Sequence, residues 1–299
     1  MKAKAIGIDL GGTNIKAVLI DESGKAIKKL QEPIVDNEAE QGKQWKEAIK
    51  AMIHTLQTTA DAPSLPVGLS APGIPDADAK CIAHMAGRLF GLVGFDWGKF
   101  VGMRHLPVLN DALAAIMAES RIGAGKGKKD LLMITLGTGV GGGIMINGKI
   151  HRGFLQRAGH VGHISVDFHG RGGIFATPGN LEDAIGNSTI KQRSEGRFET
   201  TKALVDAHLS GDHFATYLWL DSIKKLAVGI VSLSNAVSPE QVILGGGISQ
   251  AGSTLLDPLN SFMDVYEWRP GGVKVPIVLA EGDAFAGAVG AAFYAMENQ

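Results

Sequence analysis

Cysteine is nearly absent: Cys81 is the single one in 299 residues. An internal disulfide framework is therefore excluded, and the composition suits a reducing compartment. Neither sign of charge is in excess. The 29 basic and 30 acidic residues leave a net charge of −1, which argues against nucleic acid or an anionic membrane surface as partner. No apolar run reaches the roughly 18 residues of a membrane span, and Met1 to Ile6 lacks a signal-peptide layout. A cytoplasmic protein is expected. Low-complexity tracts are missing too, so the 41 glycines point to ligand-facing turns rather than to disorder. The length allows two domains of ordinary size, each with its own core.

What the chain does have is organised around residues 134–147, Ile-Thr-Leu-Gly-Thr-Gly-Val-Gly-Gly-Gly-Ile-Met-Ile-Asn. An apolar run enters, an apolar run leaves, and the turn between them is mostly glycine. Glycine lets a ligand approach bare backbone, and successive N–H groups in such a turn form a concave anion site. Sliding the chain by 126 positions lays Ile8 to Asp21 over the same stretch, with Gly11, Gly12 and Thr13 at the turn. Both copies read apolar strand, Gly/Thr turn, apolar strand. Such self-similarity suggests duplicated halves. Two phosphate turns from two halves would clamp one polyphosphate between two domains.

Taken in order, residues 4–10, 15–20 and 25–30 read as strands, and about 41–58 as an amphipathic helix. Short strands are expected at 67–70 and 108–109. Asn110-Asp111 opens a helix to about Arg121. The basic, glycine-rich stretch 123–129 is the expected crossover between domains. After it come strands at 131–136, 242–244 and 275–279, and helices at about 181–193, 199–209 and 212–236. Residues 151–182 are irregular, and a long loop within a compact domain is more often functional than not. The small-residue helix at 283–297 is a candidate hinge. The domains expected are 1–122, completed by the C-terminal helix at about 283–299, and 123–282. Strands alternating with helices after a meander give an α/β class.

Three glycine turns end three strands: Gly11-Gly12, Gly137 to Gly143, and Gly245-Gly246-Gly247. Together they point to nucleotide binding. Asp9, beside the first turn, suits Mg²⁺, directly or through water, because Mg²⁺ takes a few carboxylates plus phosphate oxygens. Lys16 lies close by. A phosphoryl transferase also needs a carboxylate to accept the acceptor's proton. Asp111, at a strand–helix junction, is the candidate. The same position suits a helix N-cap, and that alternative stays open.

The residues that carry a resemblance are now on the page: Ile8 to Lys16, Ala71-Pro72-Gly73, Leu109 to Ala112, Thr135 to Gly143, Gly162-His163 and Ile243 to Ser249. Over nearly its whole length the chain resembles the ROK family of sugar kinases. The resemblance implies a two-domain actin-like ATPase (ribonuclease H-like) fold, with a duplicated β-sheet flanked by helices and a central cleft. It implies phosphorylation of a hexose such as glucose at O6, with Asp111 as general base. ATP phosphates are expected on Gly11, Gly12, Thr13, Asn14 and Lys16 and on Gly137, Thr138 and Gly139, with adenosine near Gly245, Gly246 and Gly247. ATP and Mg²⁺ are the expected cofactors. Gly73, Asn110, His160, His163 and Glu182 are expected on the sugar. A homodimer or homotetramer is expected.

Two departures stand out. The family writes Gly-Glu-x-Gly-His where this chain has Gly159-His160-Val161-Gly162-His163. An imidazole accepts at most one hydroxyl where a carboxylate accepts two. An N-acetylhexosamine, or another sugar, therefore stays open as acceptor, as does a catalytically weak sugar-binding or regulatory protein. The family's zinc cysteines are also absent, replaced by residues 173–180, Gly-Ile-Phe-Ala-Thr-Pro-Gly-Asn. His160, His163, His169 and Asp167 offer four alternative ligands, but the expectation is no zinc. Polyphosphate as donor would want extra basic residues, and Lys126, Lys128 and Lys129 are only a thin hint. A repressor reading falls because the first strand begins too early for a DNA-reading helix-turn-helix.

Overall fold

The computed structural model describes residues 2–85, 87, 89–170 and 177–298. The chain runs through β1 (Ala3–Leu10), β2 (Asn14–Asp21), β3 (Ala26–Pro33), α1 (Lys43–Ala60), β4 (Val67–Ala71), β5 (Ile74–Pro75), β6 (Ile82–His84), α2 (Trp97–Val101), β7 (Val108–Asn110) and α3 (Asp111–Ile122). It continues through β8 (Leu131–Leu136), β9 (Val140–Ile146), β10 (Lys149–Ile150), α4 (Leu181–Ile185), α5 (Ile190–Arg193), α6 (Thr201–Leu209), α7 (His213–Val237), β11 (Gln241–Gly245), α8 (Ser253–Tyr266), β12 (Ile277–Leu279) and α9 (Ala286–Glu297). It forms two compact units. The first comprises residues up to Gly127, Ile150–Ala158, and everything from Glu281; the second comprises Lys128–Lys149 and Gly159–Ala280. Among the described residues no helix is long and apolar enough to cross a membrane.

The first unit is built on a sheet of order β3-β2-β1-β4-β7, with β1 antiparallel to β2 and parallel to β4. Strand alternation sorts its side chains onto two faces. Ile6, Ile8 and Leu10 bury with Trp45, Ile49, Met52 and Leu56 of α1. Ala5, Val18 and Ile20 bury on the other face, with Leu113 and Met117 of α3 and Val289 and Phe293 of α9. Gly7 and Asp9 alternate with Ile6 and Ile8, so they share this second face with Ala5. α9 lies very close to the sheet there. A Cβ on Gly7 would fall within 3.0 Å of Ala288 O, and one on Gly68 within 3.0 Å of Ala291 O. Gly290 meets Ala114 O of α3 in the same way. The small-residue stripe of α9 is thus used inside the first unit, against β1, β4 and α3.

Glu119 of α3 is 1% exposed. Its carboxylate accepts N–H groups from Ala124 at 2.8 Å, Gly282 at 2.7 Å and Glu281 at 3.2 Å. One side chain therefore fixes the segment that leaves this unit and the segment that returns to it. Glu119→Ala strips three backbone donors of their acceptor, and a loss of about 3 kcal/mol of unfolding free energy is expected. Urea denaturation checks it, and a change within about 0.5 kcal/mol, ordinary for a surface site, would contradict it.

The second unit repeats the plan. Its sheet order is β10-β9-β8-β11-β12, with β8 antiparallel to β9 and parallel to β11, and β11 parallel to β12. Leu132, Ile134 and Leu136 bury against Trp219, Ile223 and Leu226 of α7 and Leu255 and Leu259 of α8. The two glycine hairpins differ by one residue. Leu10 stands opposite Ile15, whereas Leu136 stands opposite Val140. The overlay of residues 8–21 on 134–147 therefore holds through the first strand and slips by one after the turn. The helix expected at 181–193 is broken. Gly186 is extended, at φ −58° and ψ 148°. The N–H groups of Asn187 and Ser188 donate to Gly137 O and Thr138 O, both at 2.9 Å, instead of continuing a helix. Tertiary bonds to the glycine turn outweigh helical propensity at this point.

Candidate active site

In the first unit, Asp9, Ser70 and the Asn110–Asp111 junction lie at the carboxyl ends of three adjacent parallel strands, where open α/β sheets place ligands. Ser70 Oγ donates to Asp9 Oδ1 at 2.9 Å, and Lys16 is the cross-strand partner of Asp9. Burial raises the Asp9 pKa above its ordinary 3.8, and the Ser70 bond and the Lys16 charge oppose that rise. Gly287, in the first turn of α9, presses on the Asp9 carboxylate: a Cβ there would stand 2.8 Å from Cγ. Among the described residues Asp9 Oδ2 accepts no hydrogen bond.

The cap of α3 is Asn110, one residue before Asp111. Its Oδ1 accepts the Ala112 N–H at 3.0 Å, and its Nδ2 donates to Gly73 O at 2.9 Å. Asn110 therefore locks Gly73, which sits at φ +104°, onto the start of α3. Asp111 Oδ1 also accepts from Ala112 N, at 2.8 Å, while the side chain itself is exposed. The protein around it, more than any cover over the carboxylate, disfavours the charged form. That desolvation, helped by the Asp9 charge, pushes Asp111 up to about 6. A reaction that needs Asp111 ionised should fall in rate as pH drops through about 6 rather than through about 4. The pH profile of kcat/KM checks this, and a flat profile down to pH about 4.5 would contradict it.

The first glycine turn is closed by Gly11 N donating to Asn14 O at 3.0 Å. Asn14 Nδ2 donates to Thr13 Oγ1 at 3.1 Å, and Gly12 and Thr13 stay exposed. In the second unit the Gly137–Gly139 turn is closed by Gly137 N donating to Gly139 O at 3.0 Å. Thr138 is exposed at its tip. A cavity of about 640 Å³ opens beside it, lined by Gly137, Thr138 and Asn187, by Thr201, Val205 and Leu209 of α6, and by Gly247, Ile248, Ala251 and Thr254. A glycine turn at one end and apolar walls at the other suit phosphates joined to a nucleoside.

The three glycines expected beside adenosine divide their work. Gly247 lines the cavity, with open space where a Cβ would stand. Gly246, at φ +88°, packs on Leu136 O, and Gly245 lies under Met133. Glu182 stands against the glycine turn, where its Oε2 accepts the Val140 N–H at 2.8 Å. His160 and His163 flank a short turn at Val161–His163, with ring centroids 6.4 Å apart.

Among the described residues no group of three His, Cys, Asp or Glu side chains is placed to hold a metal ion. Asp167 pairs with Lys225 at 3.3 Å, and the His169 ring lies tilted by 40° to that of Phe168, with centroids 3.9 Å apart. Residues 173–176, part of the segment replacing the zinc cysteines, lie outside the described residues.

Sequence reasoning missed Ser70, Asn187 and the α6 wall of the cavity. The Gly186-Asn187 dipeptide, a helix breaker, was the one local signal for any of them.

Two sheets of matching topology, each carrying a glycine turn, define an actin-like ATPase fold. The chain belongs to the ROK family, which it matches over residues 5–298. It is 32% identical to a glucokinase of Halalkalibacterium halodurans, covering 87% of this chain and 85% of that one. The crystal structure of a ROK hexokinase from Thermus thermophilus is 27% identical, covers 98% of both chains and superposes with a TM-score of 0.85. A ROK family glucokinase from Streptomyces griseus, solved with glucose and AMPPNP, is also 27% identical, covers 99% of both and gives 0.76. The protein is an ATP-dependent sugar kinase acting on a small-molecule sugar.

Proposed function

We propose that the protein moves the γ-phosphoryl group of ATP to the 6-hydroxyl of a hexose, glucose first among them. The observation that carries this is the placement of Asp111: exposed, at the carboxyl end of β7, with its basicity raised to about 6. The sugar hydroxyl oxygen attacks the γ-phosphorus and a new O–P bond forms. The bond from that phosphorus to the β–γ bridging oxygen breaks, and ADP leaves. The hydroxyl proton passes to an Asp111 oxygen. A base near pKa 6 is ionised at neutral pH yet still basic enough to accept it.

Asp9 fits a Mg²⁺ site. It is a half-buried carboxylate with Oδ1 held by Ser70, while Lys16 limits the charge left over. Mg²⁺ there would neutralise charge on the donor phosphates. Asn110 keeps Gly73 and Asp111 in register, and its remaining amide hydrogen is available to the sugar. The apolar walls Val205, Leu209, Ile248 and Ala251 have a use for a nucleoside and none for bare polyphosphate.

A second reading of the acceptor is favoured by His160. An imidazole in place of a carboxylate suits a sugar with one fewer hydroxyl to hold, such as an N-acetylhexosamine. A panel of sugars with ATP and Mg²⁺, followed by ADP release, decides. Glucose is expected to give the highest kcat/KM. A faster N-acetylhexosamine would establish the second reading, and ADP release with no sugar would overturn both.

A further inference from the structure

We infer that Glu182 is a positioning residue for the donor-phosphate turn of the second unit. This rests on the kinase reading. The turn is held from two sides. On its carbonyl side, Gly137 O and Thr138 O accept from Asn187 N and Ser188 N, both at 2.9 Å. On its amide side, Val140 N donates to Glu182 Oε2 at 2.8 Å. With Gly137 N spent on Gly139 O, the amides of Thr138 and Gly139 face no protein acceptor among the described residues. Two adjacent free amides at the mouth of the cavity make a nest for phosphate oxygens.

Glu182 is itself held. α4 begins at Leu181, with Asn180 Oδ1 accepting Asp183 N at 2.7 Å as its cap. Behind it, the Arg193 guanidinium donates to Gly186 O at 3.2 Å, Thr189 Oγ1 at 3.1 Å and Ser222 Oγ of α7 at 2.8 Å. Residues 181–189 are thus a bracket fixed to the core of the unit and gripping the turn at three points. The identity of Gly139 follows. A Cβ there would fall within 3.0 Å of Glu182 Oε2, although the backbone conformation, outside the positive-φ region, would accept alanine. Glycine is needed at 139 because the carboxylate occupies the space.

The test is the affinity of the Mg²⁺ complex of AMPPNP, measured by calorimetry with no sugar present. Losing the bond to Val140 N in Glu182→Ala is expected to weaken binding about tenfold. Glu182→Gln, whose amide oxygen can accept the same N–H, should stay within about twofold of wild type. Gly139→Ala should weaken binding by pushing the carboxylate away, and adding it to Glu182→Ala should cost little more, the non-additivity of two residues sharing one contact. Unchanged or tighter binding in Glu182→Ala would overturn the inference, as would equal losses in the Ala and Gln variants. A residue that acts on sugar alone would move only the sugar KM. A wild-type protein that binds no AMPPNP would instead overturn the kinase reading itself.

Discussion

Asp111→Asn is expected to lower kcat by about 10³-fold while leaving nucleotide affinity within a factor of about two. The amide keeps the size of the side chain and can still accept the Ala112 N–H, but it cannot take a proton from the acceptor hydroxyl. The cavity read as the nucleotide site is built from second-unit residues, whereas Asp111 belongs to the first unit. A second result belongs to the same variant. The Asp111 pKa is higher in the folded state, about 6 against an ordinary 3.8, so the folded protein binds that proton more tightly than the unfolded chain does. Its contribution is favourable at low pH and turns unfavourable as pH rises through that window. At pH 8 the charge is carried at a cost, and asparagine removes it. The variant should therefore melt at a higher temperature than wild type at pH 8 and lose that advantage near pH 4. A charged group held at a cost to stability is a common pattern at functional sites. Lower thermal stability of Asp111→Asn at pH 8 would contradict the assigned electrostatics.

Gly7→Ala is expected to cost about 3 kcal/mol or more and to abolish activity together with the fold of the first unit. The added methyl would meet Ala288 O and also stand 2.8 Å from Ala292 N, both in the α9 backbone. A flexible side chain can move aside, but a helix backbone packed on a sheet cannot. Gly7 and Asp9 share the face that α9 covers, so pushing α9 away also removes Gly287 from Asp9. Circular dichroism melts and urea titration check this. A melting temperature within a degree or two of wild type would contradict the close packing on which the placement of Asp9 depends.

Much of this was legible in the sequence because the signals are local. Apolar runs on either side of the turns marked β1, β2, β8 and β9, and the two glycine turns marked the duplicated halves. Asn110-Asp111 marked the start of α3. Which residue of the pair caps α3 was not legible, because either suits a cap; the hydrogen bond of Ala112 N to Asn110 Oδ1 gives that place to Asn110. The break at Gly186 was hidden because its cause is tertiary: Asn187 and Ser188 give their N–H groups to a turn fifty positions earlier. Glu119 gave no signal, since a glutamate inside a helix reads as surface until its three backbone partners are known. The apolar wall on α6 was invisible for a related reason. Val205 and Leu209, four apart, look like any buried helix face until the cavity beside them is seen.

Transfer from ATP to a hexose O6 is tested most directly by the product. Protein, ATP, Mg²⁺ and glucose should yield ADP and one sugar phosphate in equal amounts. Its phosphorus resonance should be split into a triplet by the two methylene protons at carbon 6, and the Asp111→Asn protein should give no such signal. A doublet, from phosphate on a ring hydroxyl, would contradict the O6 assignment. Absence of ADP with every hexose would contradict the kinase.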